Sequence, residues 1–197
     1  MMNLQSGQIS GAEALLRWNH PEHGALAPTH YIQLAEETGL IDALGEWVLR
    51  EACSEFGGLV AQGVALPGIS VNVSVRQFKQ PRFVEMLHKV LRETGMRNSA
   101  LEIEITESLL LDATPAIEGM LGELSASGVR IALDDFGTGY SSLAYLKRFP
   151  VDAVKIDRSF IKDLPVDRSS AAITSAIISM AHALQKRVVA EGVVSAE

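Results

Sequence analysis

Seven side chains able to bind a cation or move a proton stand towards the C-terminal ends of β-rich runs in this sequence: Glu13, Asn72, Glu104, Asp134, Asp135, Lys155 and Glu191. Five are carboxylates, one is an amide and one is a lysine. Five negative charges within a few ångströms cannot all stay ionised without compensation by protonation, lysine pairing or bound cations. An all-oxygen set with no neighbouring Cys or His favours hard cations, Mg²⁺ or Mn²⁺, over zinc. Asp134 and Asp135 form the natural bridge, because adjacent carboxylates at a strand end can serve two ions. Two ions ~4 Å apart can hold a phosphodiester, activate a water and stabilise the leaving oxygen. Lys155 would orient the attacking water or a phosphoryl oxygen.

Such convergence needs a scaffold that delivers several strand ends to one place. The β-rich runs are Gln8–Leu16, Ile69–Val75, Leu101–Thr106, Val129–Asp135, Ala153–Asp157 and Arg187–Val193. Between them lie helical patterns over Thr29–Glu37, Ile41–Gln62, Arg82–Thr94, Thr114–Ser127, Ser141–Arg148 and Ser169–Gln185, with stops at Gly39, Gly63, Gly95 and Gly128. Strand–helix repetition predicts a parallel sheet with covering helices. Alternation inside the strands selects between two such folds. Val71, Val73 and Val75 share a face opposite Asn72 and Ser74; Leu101, Ile103 and Ile105 oppose Glu102 and Glu104; Ile131 and Leu133 oppose Asp134; Val154 and Ile156 oppose Lys155 and Asp157. An open sheet covered on both sides would be apolar on both faces. A β/α barrel accepts inward polar groups, and its active site lies at the C-terminal end of its strands. The expected fold class is therefore α/β, a TIM-like β/α barrel.

A single acid is more often a solvated loop residue than a ligand, and Asp134–Gly139 alone reads as a turn. The case is joint, resting on one face and one strand end repeated along the chain. His20 and His23 have metal-like spacing but sit in a Pro/Gly-rich loop and read as surface residues. Gly137-Thr138-Gly139 lacks the Lys-Ser/Thr of a phosphate loop. His182 falls in an apolar helical pattern and reads as structural, and Cys53 lies in a helix without an activating partner.

The chain has 197 residues, 47% of them hydrophobic, with 24 acidic and 17 basic side chains and a formal charge of −7. This composition suits a globular core and argues against disorder. One cysteine excludes a disulfide framework and a cysteine-based metal site within one chain. An acidic chain is a poor match for polymeric nucleic acid. The most apolar stretch, Ala171–Leu184, is polar-interrupted and too short to span a membrane. One thiol and no targeting signal fit a cytoplasmic setting.

The segment Glu13-Ala14-Leu15-Leu16-Arg17-Trp18 resembles the signature of the EAL domain, the cyclic di-GMP phosphodiesterase module of bacterial signalling. The resemblance continues, in order and spacing, through Leu34–Ile41, Val71–Ser74, Glu104–Glu107, Asp134–Leu143, Lys155–Asp157 and Glu191–Val193. It implies a single EAL-type domain over residues 1–197 that cleaves cyclic di-GMP to linear pGpG with Mg²⁺ or Mn²⁺ and is inhibited by Ca²⁺. By position, Glu13, Asn72, Glu104 and Asp134 would ligate the metals, with Asp135 and Glu191 completing a second site. Lys155, Glu191 and Glu107 would serve catalysis, with Lys155 contacting the nucleophilic water. Arg17 would contact a substrate phosphate, and Leu15 would also touch the substrate. Glu107 would tether the loop from Asp135 to Leu143, which in the family also touches a dimer interface. A homodimer, accompanying GGDEF-type or sensory domains and membrane anchoring of a longer parent protein belong to the same expectation.

The family domain is longer than this sequence. Its first strand would precede Met1, and its eighth strand, last helix and an assisting glutamine would follow Glu197. Val194 stands where the family usually has Glu, and Gln33 where it usually has Pro. The expectation is an incomplete barrel, open or closed by a partner chain. The rival reading is a catalytically inactive module that binds cyclic di-GMP or a protein; a third, an enolase-like barrel with a lysine base, is disfavoured by the length of the match.

Overall fold

The computed structural model describes residues 1–138, 143–164 and 166–193. Among them are eight strands and nine α-helices; the six strands of the principal sheet follow the expected strand–helix repetition, with one or two helices between successive strands. They form two compact units, residues 1–103 with 127–129, and residues 104–126 with the chain from 130 onward. The principal sheet has strand order β1-β4-β5-β6-β7-β8, and its pairings β1–β4, β6–β7 and β7–β8 are parallel.

The first unit carries β1 (Ala12–Ala14) beside β4 (Ile69–Asn72), with Glu13 level with Ser70. Helix α2 (Ile41–Ala61) buries Ile41, Gly45, Leu49, Ala52, Cys53 and Phe56, a stripe at helical spacing. It packs on α4 (Phe83–Thr94), whose buried Phe83, Val84, Leu87, Val90 and Leu91 form the facing stripe. Gly45 is small for a reason: a Cβ there would lie 1.3 Å from Nε2 of the buried Gln77 on α3 (Val75–Phe78). Helix α1 (Pro28–Thr38) precedes α2, and a carbonyl of its last turn, that of Glu36, accepts a hydrogen bond from Arg76.

In the second unit β6 (Arg130–Phe136), β7 (Ala153–Ile156) and β8 (Arg187–Ala190) run side by side. The covering helices α6 (Pro115–Ala126) and α9 (Arg168–Ala183) bury Ile117, Leu121 and Leu124, and Ile177 and Ala181. Asp167 starts α9 by accepting from the Ser169 and Ser170 backbone N–H groups. Arg148 of α7 (Leu143–Arg148) clasps Glu118 through Nε and Nη2 at 3.2 and 2.6 Å.

Several expected boundaries move. The run Gln8–Leu16 contributes only β1; upstream of it Met2 and Ile9 form an isolated antiparallel bridge. Trp18–His20 and Gly24–Leu26, expected as loop, form an antiparallel hairpin of β2 and β3. β4 ends at Asn72, because Ser74 leaves the sheet to cap α3 in a reciprocal box with Gln77. β8 ends at Ala190, leaving Glu191 just beyond it. Two further short helices, α5 (Glu107–Leu111) and α8 (Arg158–Ile161), follow β5 (Leu101–Thr106) and β7. His182, expected as a structural group, is exposed on α9. The predicted helix start at Ser141 lies outside the described residues, as do Val194 and most of the glycine-rich turn after Gly137. No helix of the described residues is long and apolar enough to cross a membrane.

Candidate active site

The second unit gathers the densest charge. Lys155 on β7 is 2% exposed, and its ammonium lies 2.5 Å from Glu104 Oε2, 3.2 Å from Asp134 Oδ1 and 2.6 Å from Glu191 Oε1. These acids come from β5, β6 and the residue after β8, which is tied down by the Glu191 N–H donating to the Ile156 carbonyl. Burial by itself would deprotonate Lys155, but the charges of Glu104 and Asp134 and hydrogen bonds to Glu104 and Glu191 outweigh it and push the ammonium well above the usual lysine range. Lys155 therefore stays charged at neutral pH.

Asp135 joins this cluster through a backbone irregularity. From Leu133 to Phe136 β6 advances three residues while its partners advance two, Val154 to Ile156. The extra residue is a bulge at Asp134-Asp135, with Asp135 at φ +53°. Aspartate tolerates this left-handed conformation better than most residues do. Carboxylate oxygens of Asp134, Asp135 and Glu191 consequently lie within 4.8 Å of one another. Burial and the charges of Asp134 and Asp157 raise the Asp135 carboxyl above its ordinary range.

These groups fit hard divalent cations. The donors are all oxygen, and four carboxylates face one ammonium, leaving a formal deficit of positive charge. Glu107, at the start of α5, is 6% exposed; its expected tether involves residues 139–142, which lie outside the described residues.

In the first unit Asn72 donates to Glu13 Oε1 at 3.0 Å, joining two expected ligands on neighbouring strands. Deeper in the same unit, buried Ser70 donates to buried Glu102 at 3.1 Å. The polar alternation of β5 flags Glu102, but its contact with Ser70 needs the inter-strand register. Arg17 is exposed, with Nη1 donating to the Leu16 carbonyl at 2.8 Å, and Leu15 is 55% exposed. The hairpin builds an unexpected aromatic group: Trp18 meets His20 and Tyr31 edge-on at 5.1 and 5.5 Å between ring centroids. His20 and His23 stack, and His20 Nδ1 accepts backbone N–H groups of Glu22 and His23, so this pair shapes a turn.

A family model described as EAL domain matches residues 1–197. The chain belongs to the EAL domain family. It is 46% identical over 95% of its length to the bifunctional diguanylate cyclase/cyclic di-GMP phosphodiesterase MucR of Pseudomonas aeruginosa, of which it covers 27%. It is 42% identical over 98% of its length to the cyclic di-GMP phosphodiesterase NbdA of the same organism, of which it covers 25%. The chain thus spans about a quarter of the length of these curated relatives. The solved complex of the PaMucR phosphodiesterase with c-di-GMP superposes with a TM-score of 0.91 at 46% identity, covering 96% of this chain and 77% of that one. The α/β fold is accordingly that of EAL structures, a partial TIM-like barrel.

Proposed function

We propose that this EAL chain hydrolyses cyclic di-GMP to linear pGpG in bacterial second-messenger signalling, with Mg²⁺ or Mn²⁺ as its cofactor. The observation that carries the reading is the Lys155 cluster: one buried ammonium held by Glu104, Asp134 and Glu191, with Asp135 brought alongside by the bulge. A phosphodiester is an anion, and these carboxylates repel it unless cations stand between them. Glu104, Asp134, Asp135 and Glu191 would hold the ions, with Glu13 and Asn72 the further ligands that the family resemblance implies. Bound there, divalent ions would supply Lewis-acid stabilisation of the phosphoryl charge and an activated water.

The chain's own groups do the remaining work. Lys155 is a permanent donor, fixed from three sides, so its role is to orient the water or a phosphoryl oxygen rather than to remove a proton. Its ammonium also restrains Glu104, Asp134 and Glu191 against mutual repulsion. Asn72 donates to Glu13 Oε1 and so orients that carboxylate. Arg17 and Leu15, both exposed, would meet substrate, and Glu107 would position the loop after β6. The reading extends to a cytoplasmic homodimer with accompanying signalling domains, checked by sedimentation of the full-length protein.

Incubation with cyclic di-GMP and Mn²⁺, followed by chromatography of pGpG, tests the proposal. Product that disappears with EDTA, or in Asp134→Ala and Glu13→Ala, is expected. Binding without product would replace it with the inactive-module reading.

A further inference from the structure

We propose that His20 is an acid-released latch on the β2–β3 hairpin: its neutral ring holds the turn closed, and protonation opens it. Nδ1 of His20 accepts the backbone N–H groups of Glu22 at 3.1 Å and His23 at 3.3 Å. The hairpin pairs His20 with Gly24, so this ring nitrogen does what an Asn or Asp oxygen does in other turns. A proton on Nδ1 converts the acceptor into a donor that faces two donors. Both bonds are then lost, and the ring must turn away.

The surroundings do not reward the charge. The titratable groups around His20 are His23, stacked on it at 4.7 Å between centroids, Glu22 in the same turn and, through Trp18, Tyr31 of α1; β3 contributes only Gly24, Ala25 and Leu26. Neither histidine forms an ion pair with a described residue. A second charge on the stacked His23 ring would repel the first. The latch also reaches beyond the turn. Trp18 rests edge-on against both His20 and Tyr31, and the Tyr31 hydroxyl donates to the Leu16 carbonyl, which Arg17 Nη1 also holds. Release of His20 therefore loosens Trp18 and, through Tyr31, the carbonyl that positions Arg17. On the phosphodiesterase reading above, on which this last step rests, acid weakens cyclic di-GMP binding through the same latch.

NMR of the 15N-labelled chain from pH 8 to pH 5, the interval in which imidazoles titrate, tests this with three variants. His20→Asn keeps an acceptor that does not titrate, His20→Phe keeps a ring without an acceptor, and His23→Phe keeps the stack. Each bond lost is worth about a fivefold factor in the closing equilibrium, so the protection of the amides at 22 and 23 against solvent exchange, normalised for intrinsic rate, should fall about tenfold in wild type and His23→Phe. It should stay constant in His20→Asn and be lost already at pH 8 in His20→Phe. Protection that persists while the His20 ring titrates would overturn the latch, as would an equal acid-induced loss in His20→Asn. The KM of wild type for cyclic di-GMP, divided by that of His20→Asn, should rise as pH falls; a flat ratio beside an opened turn would strike the step to Arg17. Wild type without turnover would fell the phosphodiesterase reading, while the amides still decide the latch.

Discussion

Replacing Lys155 by methionine keeps an unbranched side chain, one atom shorter, and removes its charge. The ammonium is 2% exposed and lies within 3.2 Å of three carboxylates, one of them, Glu104, with no exposed side-chain surface. Removing one partner of a buried ion pair costs about 3–5 kcal/mol, because the remaining charge is stranded. At roughly 2–4 °C per kcal/mol for a chain of this size, the melting temperature in EDTA should fall by about 6–20 °C. Divalent cations would then take over the neutralisation. An ion at a thousand times its dissociation constant adds ~4 kcal/mol to the folded state. Excess Mg²⁺ or Mn²⁺ should therefore recover most of the loss, while cyclic di-GMP turnover stays abolished for want of the donor. Thermal denaturation by circular dichroism, with EDTA and with excess Mg²⁺, reads both effects. The reasoning is refuted if the variant melts with wild type in EDTA, or if divalent ions leave the gap between them unchanged.

Other consequences follow from single contacts. Gly45→Ala should lower stability by about 1–3 kcal/mol in urea denaturation, since overpacking against Gln77 and loss of its capping box outweigh a helix-propensity gain of about 1 kcal/mol. Cys53 is fully buried, and burial pushes its thiol from 9.0 up to about 11. The neutral thiol is favoured in the fold, so its contribution is complete below pH 9 and is lost as pH rises to about 11. Wild type should therefore lose about 2–3 kcal/mol more than Cys53→Ala across that interval, and a thiol reagent at pH 8 should label Cys53 only on unfolding. Asp167 is held below its ordinary range by Ser170 and Ser169, so its cap on α9 is intact above that range and is lost as pH falls through the lowered value. Asp167→Asn should flatten the acid limb of a stability–pH profile, and an unaltered limb would contradict the cap assignment.

The strand–helix alternation was legible because each long element has a strong period. The stripe Ile41, Gly45, Leu49, Ala52, Cys53 and Phe56 reads as a helix from sequence alone, and Leu101–Thr106 coincides with β5. The β2–β3 hairpin was hidden because three-residue strands are too short for a periodic signal. Ser74 and Asp157 continue an alternating pattern yet leave their strands, because a hydroxyl and a carboxylate can cap the helices that follow. Glu104, Asp134 and Lys155 were legible as polar members of greasy strands. Asp135 was legible only as the neighbour of Asp134: strict alternation would turn it to the opposite face, and the bulge that corrects this depends on register with β7.

Direct titration of the metal-free protein with Mn²⁺, following free ion by electron paramagnetic resonance, addresses the central claim of a carboxylate-built cation site. The account predicts two ions bound per chain, with capacity reduced in Asp134→Asn and Glu191→Gln. Mn²⁺ that stays free, or that binds identically to wild type and both variants, would contradict it.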